Sequence, residues 1–187
     1  MKKSIFFSIK TAVIFLVFFI FMYLVINGSP YGLAKLREIT GGNSILDMEF
    51  RGYTVDRAYE ILGNLGTEGR NFHMKYILPL DFIFPLSYGL FYFVTLTIIA
   101  KAIWQGIGKP WLFGTIGIAA TLFDILENIM IIRLLSHYPT HLERVAELAN
   151  LFTLLKGIFL TSSTLLIAVG LTIIIIRRFM LKRKSKS

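Results

Sequence analysis

Residues 76–100 read YILPLDFIFPLSYGLFYFVTLTIIA, and this run decides the fold. The hydrocarbon core of a bilayer is about 30 Å thick and takes about 20 helical residues to cross. The run is long enough for that, is apolar almost throughout, and contains one charged side chain, Asp81. It therefore predicts a membrane-spanning helix with an ionisable group inside it.

Three further runs meet the same requirement, namely residues 9–26, 111–135 and 149–176. The composition agrees with them, because 55% of the 187 residues are hydrophobic, 17% are charged and the mean hydropathy is +0.68. A soluble domain is usually about 25% charged. We therefore expect an all-α membrane protein, a single domain over residues 1–187 built as a four-transmembrane-helix bundle.

The first run has features of a signal peptide, because Lys2, Lys3 and Lys10 stand at the start of an apolar stretch. It lacks a cleavage site of the small-x-small type, and the NGSP sequence that follows at residues 27–30 is typical of a turn. These features predict an uncleaved membrane anchor.

Basic residues are distributed unevenly along the chain. The two terminal segments and the 101–110 connection hold eleven basic side chains and no acidic one, whereas the other two connections, together with the outer end of the third span, hold eight of each. By the positive-inside rule, both termini are expected on the cytoplasmic side of an inner membrane. The net charge of +9 is then a membrane signal, with the tail at residues 177–187 on anionic lipid headgroups. Membrane lipids are the expected partners and nucleic acid is not; a homo-oligomer stays open.

Residues 27–75, which we call the cap, form the predicted extracytoplasmic segment and are too many for a structureless connection in a compact protein. Ser29-Pro30 has the sequence of a helix start, Thr54 that of an N-cap, and glycines follow each predicted helix. We expect helices over residues 30–39 and 54–62, an extended stretch over 45–53 and a turn over 66–70.

A T-x-x-E capping box at residues 140–143 predicts a further helix, starting at about His141 and continuing into the fourth span. His137 and His141 flank this start. We expect both to be exposed histidines at the interface rather than metal ligands.

Four charged side chains lie in the interior of the predicted spans, away from the span ends: Asp81, Asp124, Glu127 and Lys156. Each costs on the order of 2.5–3.5 kcal/mol at mid-bilayer, so such groups face the bundle interior and are commonly functional. Helical depth, at about 1.5 Å per residue, places all four in the outer half of the bilayer. We expect one cluster of catalytic candidates there, with ligand-binding candidates beside it: Asn128, Tyr88, Arg70 and His73.

The chemistry of this cluster stays open at the sequence level. The chain has no Cys, which excludes disulfides and a cysteine nucleophile. Acid–base chemistry, a hard cation on carboxylate oxygens, and a buried network that only fixes helix register are all compatible with the residues. Proton or cation movement ranks below these, because the inner third of the spans holds no ionisable residue. No metal or cofactor is assigned.

Three segments carry a family resemblance: GYTVDRAYEILGNLGTEGR at residues 52–70, PLDFIFPLSYG at 79–89 and LFDILENI at 122–129. Together they resemble a set of uncharacterised small bacterial four-span membrane proteins over roughly residues 46–156. The resemblance implies the four-helix architecture and supplies no activity. The cysteine pairs of quinone-linked disulfide enzymes and of claudins are absent.

Two functions follow from the sequence. The first is a polytopic inner-membrane protein with an outward-facing polar pocket that binds or processes a small or lipid-like ligand. The second is a non-enzymatic assembly subunit whose polar cluster is structural.

Overall fold

The computed structural model describes residues 6–104 and 106–184, and within them the side chains up to Lys182. Lys2, Lys3 and Lys186, which contributed to the charge argument, lie outside the described residues. The described chain is helical, without a strand. The helices are α1 (Ile9–Asn27), α2 (Leu33–Thr40), α3 (Val55–Asn64), α4 (Gly66–Phe72), α5 (Leu78–Ile103), α6 (Trp111–His137) and α7 (Glu143–Lys184). A 3-10 turn, Leu46–Met48, precedes α3, and a π-turn, His73–Ile77, joins α4 to α5.

Four of the described helices are long and apolar enough to cross a membrane: α1, the continuous rod Gly66–Ile103, α6, and α7. Only 11% of the most apolar window is buried in α1 and in α7. Large apolar side chains such as Val13, Leu24, Leu165 and Val169 are therefore more than half exposed on their outer faces. Extensive exposed apolar surface is typical of a membrane protein. The four helices predicted from hydropathy are confirmed.

Helix α5 lies at the centre and contacts α1, α6 and α7, while α6 also packs along α7. Small residues allow these close approaches. A Cβ atom at Gly89 would lie 2.0 Å from Thr121 Oγ1, and one at Gly117 would lie 2.4 Å from Tyr92 Cβ. The polar and small-residue stripes of α5 and α6 therefore face each other, as their 3.6-residue spacing indicates.

The cap packs on one end of this bundle. Its buried side chains, including Leu36, Leu46 and Ile61, form one hydrophobic core with residues from α5, α6 and the start of α7. Asn150 of α7 accepts a hydrogen bond from the Tyr53 amide at 2.8 Å. We call the half of the bundle next to this core the cap-proximal half, and the other the cap-distal half.

For the cap, two of the predicted residues that begin or end a helix are correct, whereas other predicted helix bounds are wrong. Thr54 caps α3, accepting from the Arg57 amide, and Gly41 ends α2 in a left-handed conformation. The helix start at Ser29-Pro30 is wrong, because α2 begins only at Leu33. Gly63 does not end α3, which continues to Asn64.

The predicted turn at residues 66–70 is wrong, because those residues are helical in α4. The break is confined to Gly66, whose φ of +63° separates α3 from α4. Gly69, the second glycine of this stretch, has a packing role. A Cβ atom at Gly69 would lie 2.6 Å from Thr40 Cγ2, so its absence lets α4 approach α2.

The predicted extended stretch at residues 45–53 is also wrong. The consecutive residues Ile45, Leu46 and Asp47 are all buried, whereas a strand sends alternate side chains to opposite faces. The 3-10 turn, with tighter winding, places them all on the bundle. Gly52, at φ +85°, completes the return of the chain beside Asn150.

The helix predicted from about His141 begins at Glu143. Tyr59 of α3 connects the cap to this start, because its hydroxyl accepts from the Leu142 amide and donates to the Thr140 carbonyl. Both histidines there are exposed, as expected. His141 stacks on the Tyr59 ring, with centroids 3.8 Å apart.

Candidate functional site

The four charged residues of the spans lie in one buried cluster in the cap-proximal half. Asp81 comes from α5, Asp124 and Glu127 from α6, and Lys156 from α7. Their exposed fractions are 7%, 3%, 0% and 4%. Convergence from three helices agrees with the helical spacing of the sequence.

Lys156 is paired on both sides. Its ammonium forms an ion pair with Glu127 and lies 3.5 Å from Asp124 Oδ1. The remaining oxygens of these carboxylates accept from hydroxyls, Tyr88 Oη donating to Asp124 Oδ2 at 2.8 Å and Thr153 Oγ1 donating to Glu127 Oε1 at 2.5 Å. Buried charges are tolerated when paired and hydrogen-bonded in this way. These five side chains form a network that satisfies itself, which we call the lysine network.

Asn128 has a structural task that follows from Pro85. Proline has no amide proton, so Pro85 leaves the carbonyl four residues earlier without its helical donor. That carbonyl belongs to Asp81, and Asn128 Nδ2 donates to it at 2.8 Å. Asn128 therefore repairs the helix of α5 at the turn that bears Asp81.

Asp81 differs from its neighbours because its carboxylate makes no hydrogen bond or ion pair with any residue that the structure describes. It is nonetheless 93% buried, as its exposed fraction of 7% implies, and it lines a cavity. A buried polar group without a partner is costly, so such a group calls for an explanation.

The cavity beside Asp81 has a volume of about 360 Å³, within the range common for small-molecule sites. Asp47, Asp124 and Lys156 also line it, while most of the wall is aromatic or aliphatic. It lies between α1, the cap, α5 and α7. Tyr23 of α1 and Phe50 of the cap, both about half exposed, stand at its edge. The apolar wall includes Phe19, Ile26, Leu33, Ile77, Phe84 and Leu160.

Asp47 is a member of this site that the sequence analysis missed. The 3-10 turn of the cap carries it to the cavity, where Oδ2 lies 3.3 Å from Nε2 of the buried His73, without the alignment of a hydrogen bond. Burial acts to raise the pKa of Asp47, but the facing imidazole and Lys156 outweigh it and hold that pKa below its ordinary value. The available signal was an acid within the apolar sequence ILDM.

The π-turn of residues 73–77 lies at this contact. π-turns are rare, and those that do occur are frequently found at functional sites. The extra residue in the turn changes the direction of the side chains around it. Here the turn opens with His73, which is 1% exposed and faces the cap. His73 therefore reaches the site through Asp47, not by lining the cavity itself.

Arg70 is the predicted ligand-binding residue that the fold places elsewhere. Its guanidinium donates to the Leu62 carbonyl and to Thr67 Oγ1, and it lies 4.0 Å over the Tyr138 ring. These contacts join α3, α4 and the end of α6. Arg70 fixes the cap and does not line the cavity.

No group of three or more His, Asp or Glu side chains in the described ranges has an arrangement that could hold a metal ion. His137 and His141 do not form a pair, since His137 Nδ1 contacts the Arg133 carbonyl and His141 stacks on Tyr59. The geometry gives the hard-cation hypothesis no support.

Comparisons with protein-family models, with curated proteins and with solved structures found no match for this chain. The resemblance to small bacterial four-span proteins therefore stays a prediction. The function has to be argued from the site.

Proposed function

We propose that this chain is a multi-pass inner-membrane protein that binds a lipid-like ligand in the cavity at Asp81. The observation that carries the proposal is a buried carboxylate without a protein partner on the wall of an otherwise apolar cavity. Ligand sites commonly combine a mostly apolar wall with a few polar groups that fix orientation.

The bilayer orientation follows from charge. Arg177, Arg178 and Lys182, together with Lys101 and Lys109, lie at the cap-distal ends of the helices. The positive-inside rule then puts this end in the cytoplasm, and the cap and the cavity at the outer leaflet. An opening beside Tyr23 and Phe50 would admit a ligand from the cap side.

Asp81 is the group that we assign to the ligand. In the described wall, Asp124 and Lys156 are already committed to the lysine network. A ligand head placed at Asp81 would exchange hydrogen bonds and protons with this carboxylate, the requirement for a general base. Glu127 and Asn128 are positioning residues, because they hold Lys156 and the Asp81 turn.

The second function, a non-enzymatic assembly subunit, is favoured by a different observation. Asp124, Glu127 and Lys156 satisfy one another, as a purely structural network would. Under that function the cavity would hold no ligand and Asp81 would serve only stability. The two functions therefore differ in what occupies the cavity.

Photocrosslinking distinguishes them. We would incubate the protein in dodecyl maltoside micelles with a diazirine-bearing long-chain alcohol, irradiate, and map the labelled peptides by mass spectrometry. The proposal expects label on cavity residues Phe19, Phe84 or Leu160. Leu160→Trp, which fills the cavity, should abolish that label, while Ile158→Trp on the exposed face of α7 should not.

Label confined to outward residues such as Val13 and Leu165, and unaffected by Leu160→Trp, would show an amphiphile coating only the apolar surface. That result would contradict ligand binding and support the assembly function.

Orientation is tested separately with single cysteines, since the chain has none of its own. Glu38→Cys lies in the cap and Lys109→Cys in the 101–110 connection. In intact cells that admit a membrane-impermeant maleimide only to the outer side, Glu38→Cys should react and Lys109→Cys should not. The reverse pattern would overturn the orientation.

A further inference from the structure

We infer that the cavity selects an organic cation: an amphiphile whose head is an ammonium group seated at Asp81, in the field of the negative charge on Asp47, with its apolar part against the aromatic wall. The inference rests on the proposed function and names the chemical class of its ligand.

The first step is the charge left on the cavity wall. Asp47, Asp81 and Asp124 line it against a single lysine, Lys156. That ammonium is already paired with two carboxylates, Glu127 and Asp124, so it offers no net positive charge to an anionic head. An anion would therefore meet excess carboxylate charge and no free cation within the described wall.

The second step is that Asp81 needs a donor. The residue is 93% buried, and its carboxylate makes no hydrogen bond or ion pair in the described chain. An isolated ionised carboxylate in a low-dielectric setting is very costly, and a cation beside it offsets part of that cost. An ammonium supplies both the charge and the N–H donors.

The third step concerns Asp47, which is separate from Asp81 in sequence and belongs to the cap. It faces His73 at 3.3 Å, and its pKa lies below the ordinary value, so it keeps a negative charge at neutral pH. Both carboxylate oxygens of Asp47 are covered by the protein, so Asp47 would attract a cationic head at Asp81 through its charge rather than through a hydrogen bond.

The fourth step is the aromatic wall. The rings of Phe19, Phe84 and Tyr88 lie 5.5 to 6.2 Å from one another by centroid, and Phe50 stands at the cavity edge. Aromatic faces attract cations, ammonium groups in particular. The protein's own ammonium already lies 5.7 Å from the Phe50 centroid.

The test compares three amphiphiles with the same tail. Dodecylamine, dodecanol and dodecanoate compete with the diazirine alcohol for the cavity label at pH 7, in dodecyl maltoside, whose micelles are uncharged. We expect dodecylamine to compete about 10 to 100 times better than dodecanol, the range of a charge-assisted hydrogen bond. Dodecanoate should be the weakest.

Variants locate the selectivity. Asp81→Asn should reduce the preference for dodecylamine over dodecanol at least about tenfold, and Asp47→Asn should reduce it less. Asp56→Asn, an exposed acid of α3, is the matched control and should leave the preference unchanged. The wild-type comparison needs no variant, so a misfolded Asp81→Asn protein does not prevent the test.

The ammonium head has two plausible sources in a membrane, a single-chain amine or the head of a phospholipid. Adding phosphatidylethanolamine or phosphatidylglycerol to the micelles separates them. Competition by phosphatidylethanolamine alone identifies a lipid headgroup, and competition by neither identifies a single-chain amine; both results agree with the inference.

The inference fails if dodecanol or dodecanoate competes as well as dodecylamine, or if phosphatidylglycerol competes best. In that case cavity labelling still stands, and with it the proposed function. If no amphiphile changes the label and Leu160→Trp has no effect, the proposed function fails as well. The two failures are thus distinguishable.

Discussion

The two halves of the bundle are built by different physical means. In the cap-distal half, the buried side chains of α5 from Val94 to Ile103 are apolar except Thr97, whose hydroxyl donates to the Phe93 carbonyl of its own helix. In the cap-proximal half, the same helix contributes Tyr88 to the lysine network and places Asp81 on the wall of the cavity. The cap-distal half is held by apolar packing, whereas the cap-proximal half combines buried charges with a cavity.

The comparison indicates that close packing stabilises the cap-distal half, whereas the cap-proximal half holds the candidate ligand site. Small residues let the cap-distal helices pack closely, since a Cβ atom at Gly170 would lie 2.3 Å from Ile99 Cγ2. The cap-proximal half leaves room and an unpartnered carboxylate. Sites for ligands commonly retain such local destabilisation.

The largest expected loss of stability comes from a substitution in the cap-proximal half. Lys156→Met leaves Asp124 and Glu127 buried without their cation, and removing one partner of a buried ion pair costs about 3–5 kcal/mol. The free energy of unfolding in detergent should fall by that amount. Lys35→Met, which removes an exposed ion pair with Glu38, is the control and should cost less than about 1 kcal/mol. Equal losses would mean that the lysine network contributes no special stability.

The next largest loss of stability is expected from a substitution in the cap-distal half. A Cβ atom at Gly114 would lie 2.5 Å from the Phe93 carbonyl oxygen, a backbone atom that cannot move aside cheaply. Gly114→Ala should lower the free energy of unfolding by about 1–3 kcal/mol and leave amphiphile labelling unchanged.

Gly157→Ala is the matched control, because nothing lies within 4 Å of its added methyl group. Its greater helix propensity should stabilise α7 by up to about 1 kcal/mol. If both alanine variants lose the same stability, close packing does not distinguish the halves.

A third prediction sharpens the role assigned to Asn128. Asn128→Leu leaves the Asp81 carbonyl without a donor and should cost about 1–3 kcal/mol. Pro85→Ala restores an amide proton four residues later, so the double variant should recover about 1 kcal/mol of that loss.

Pro79→Ala provides the control for this cycle, since its new amide would face a different carbonyl. Denaturation of the single and double variants measures the coupling. Additive losses for Asn128→Leu and Pro85→Ala would show that Asn128 does not replace the missing helical bond.

The smallest effect concerns pH at the contact between cap and bundle. The pKa of Asp47 is lower in the folded protein than its ordinary value of 3.8, so the unfolded chain binds more protons in acid. The stability from Asp47 is therefore present above that ordinary value and is lost as the pH falls through the folded-state pKa. Melting temperatures of wild type and Asp47→Asn should converge below about pH 4. A difference that grows in acid would reverse the sign, and Asp56→Asn controls for the loss of one carboxylate.

The candidate site was predictable where it depended on helical spacing. Asp81, Asp124 and Lys156 share a depth because each position along a helix fixes its height, and a charge in an apolar run has to face inward. The contact of Asn128 with the Pro85 turn combines two sequence features, but the pairing needed the crossing of α5 and α6. The spacing did not show whether Lys156 or Asp81 would be left without a hydrogen-bond or ion-pair partner.

The prediction failed where the cap folds back on the bundle. Asp47 lies 26 residues before His73 in the chain, and their meeting depends on where the 3-10 turn docks. Arg70 had the charge expected of a site residue, yet α3, α4 and Tyr138 hold it elsewhere. Local patterns do not specify such long-range docking.

By itself, the sequence determined four long apolar helices and a set of charges at one depth, because both depend only on composition and on the rise of a helix. Tertiary structure alone decided which charges pair. The crossing of α6 and α7 gives Lys156 to Asp124 and Glu127, the cap brings Asp47, and Asp81 is left facing the cavity. Pairing depends on distances of a few ångströms between side chains of different helices, which only their packing fixes.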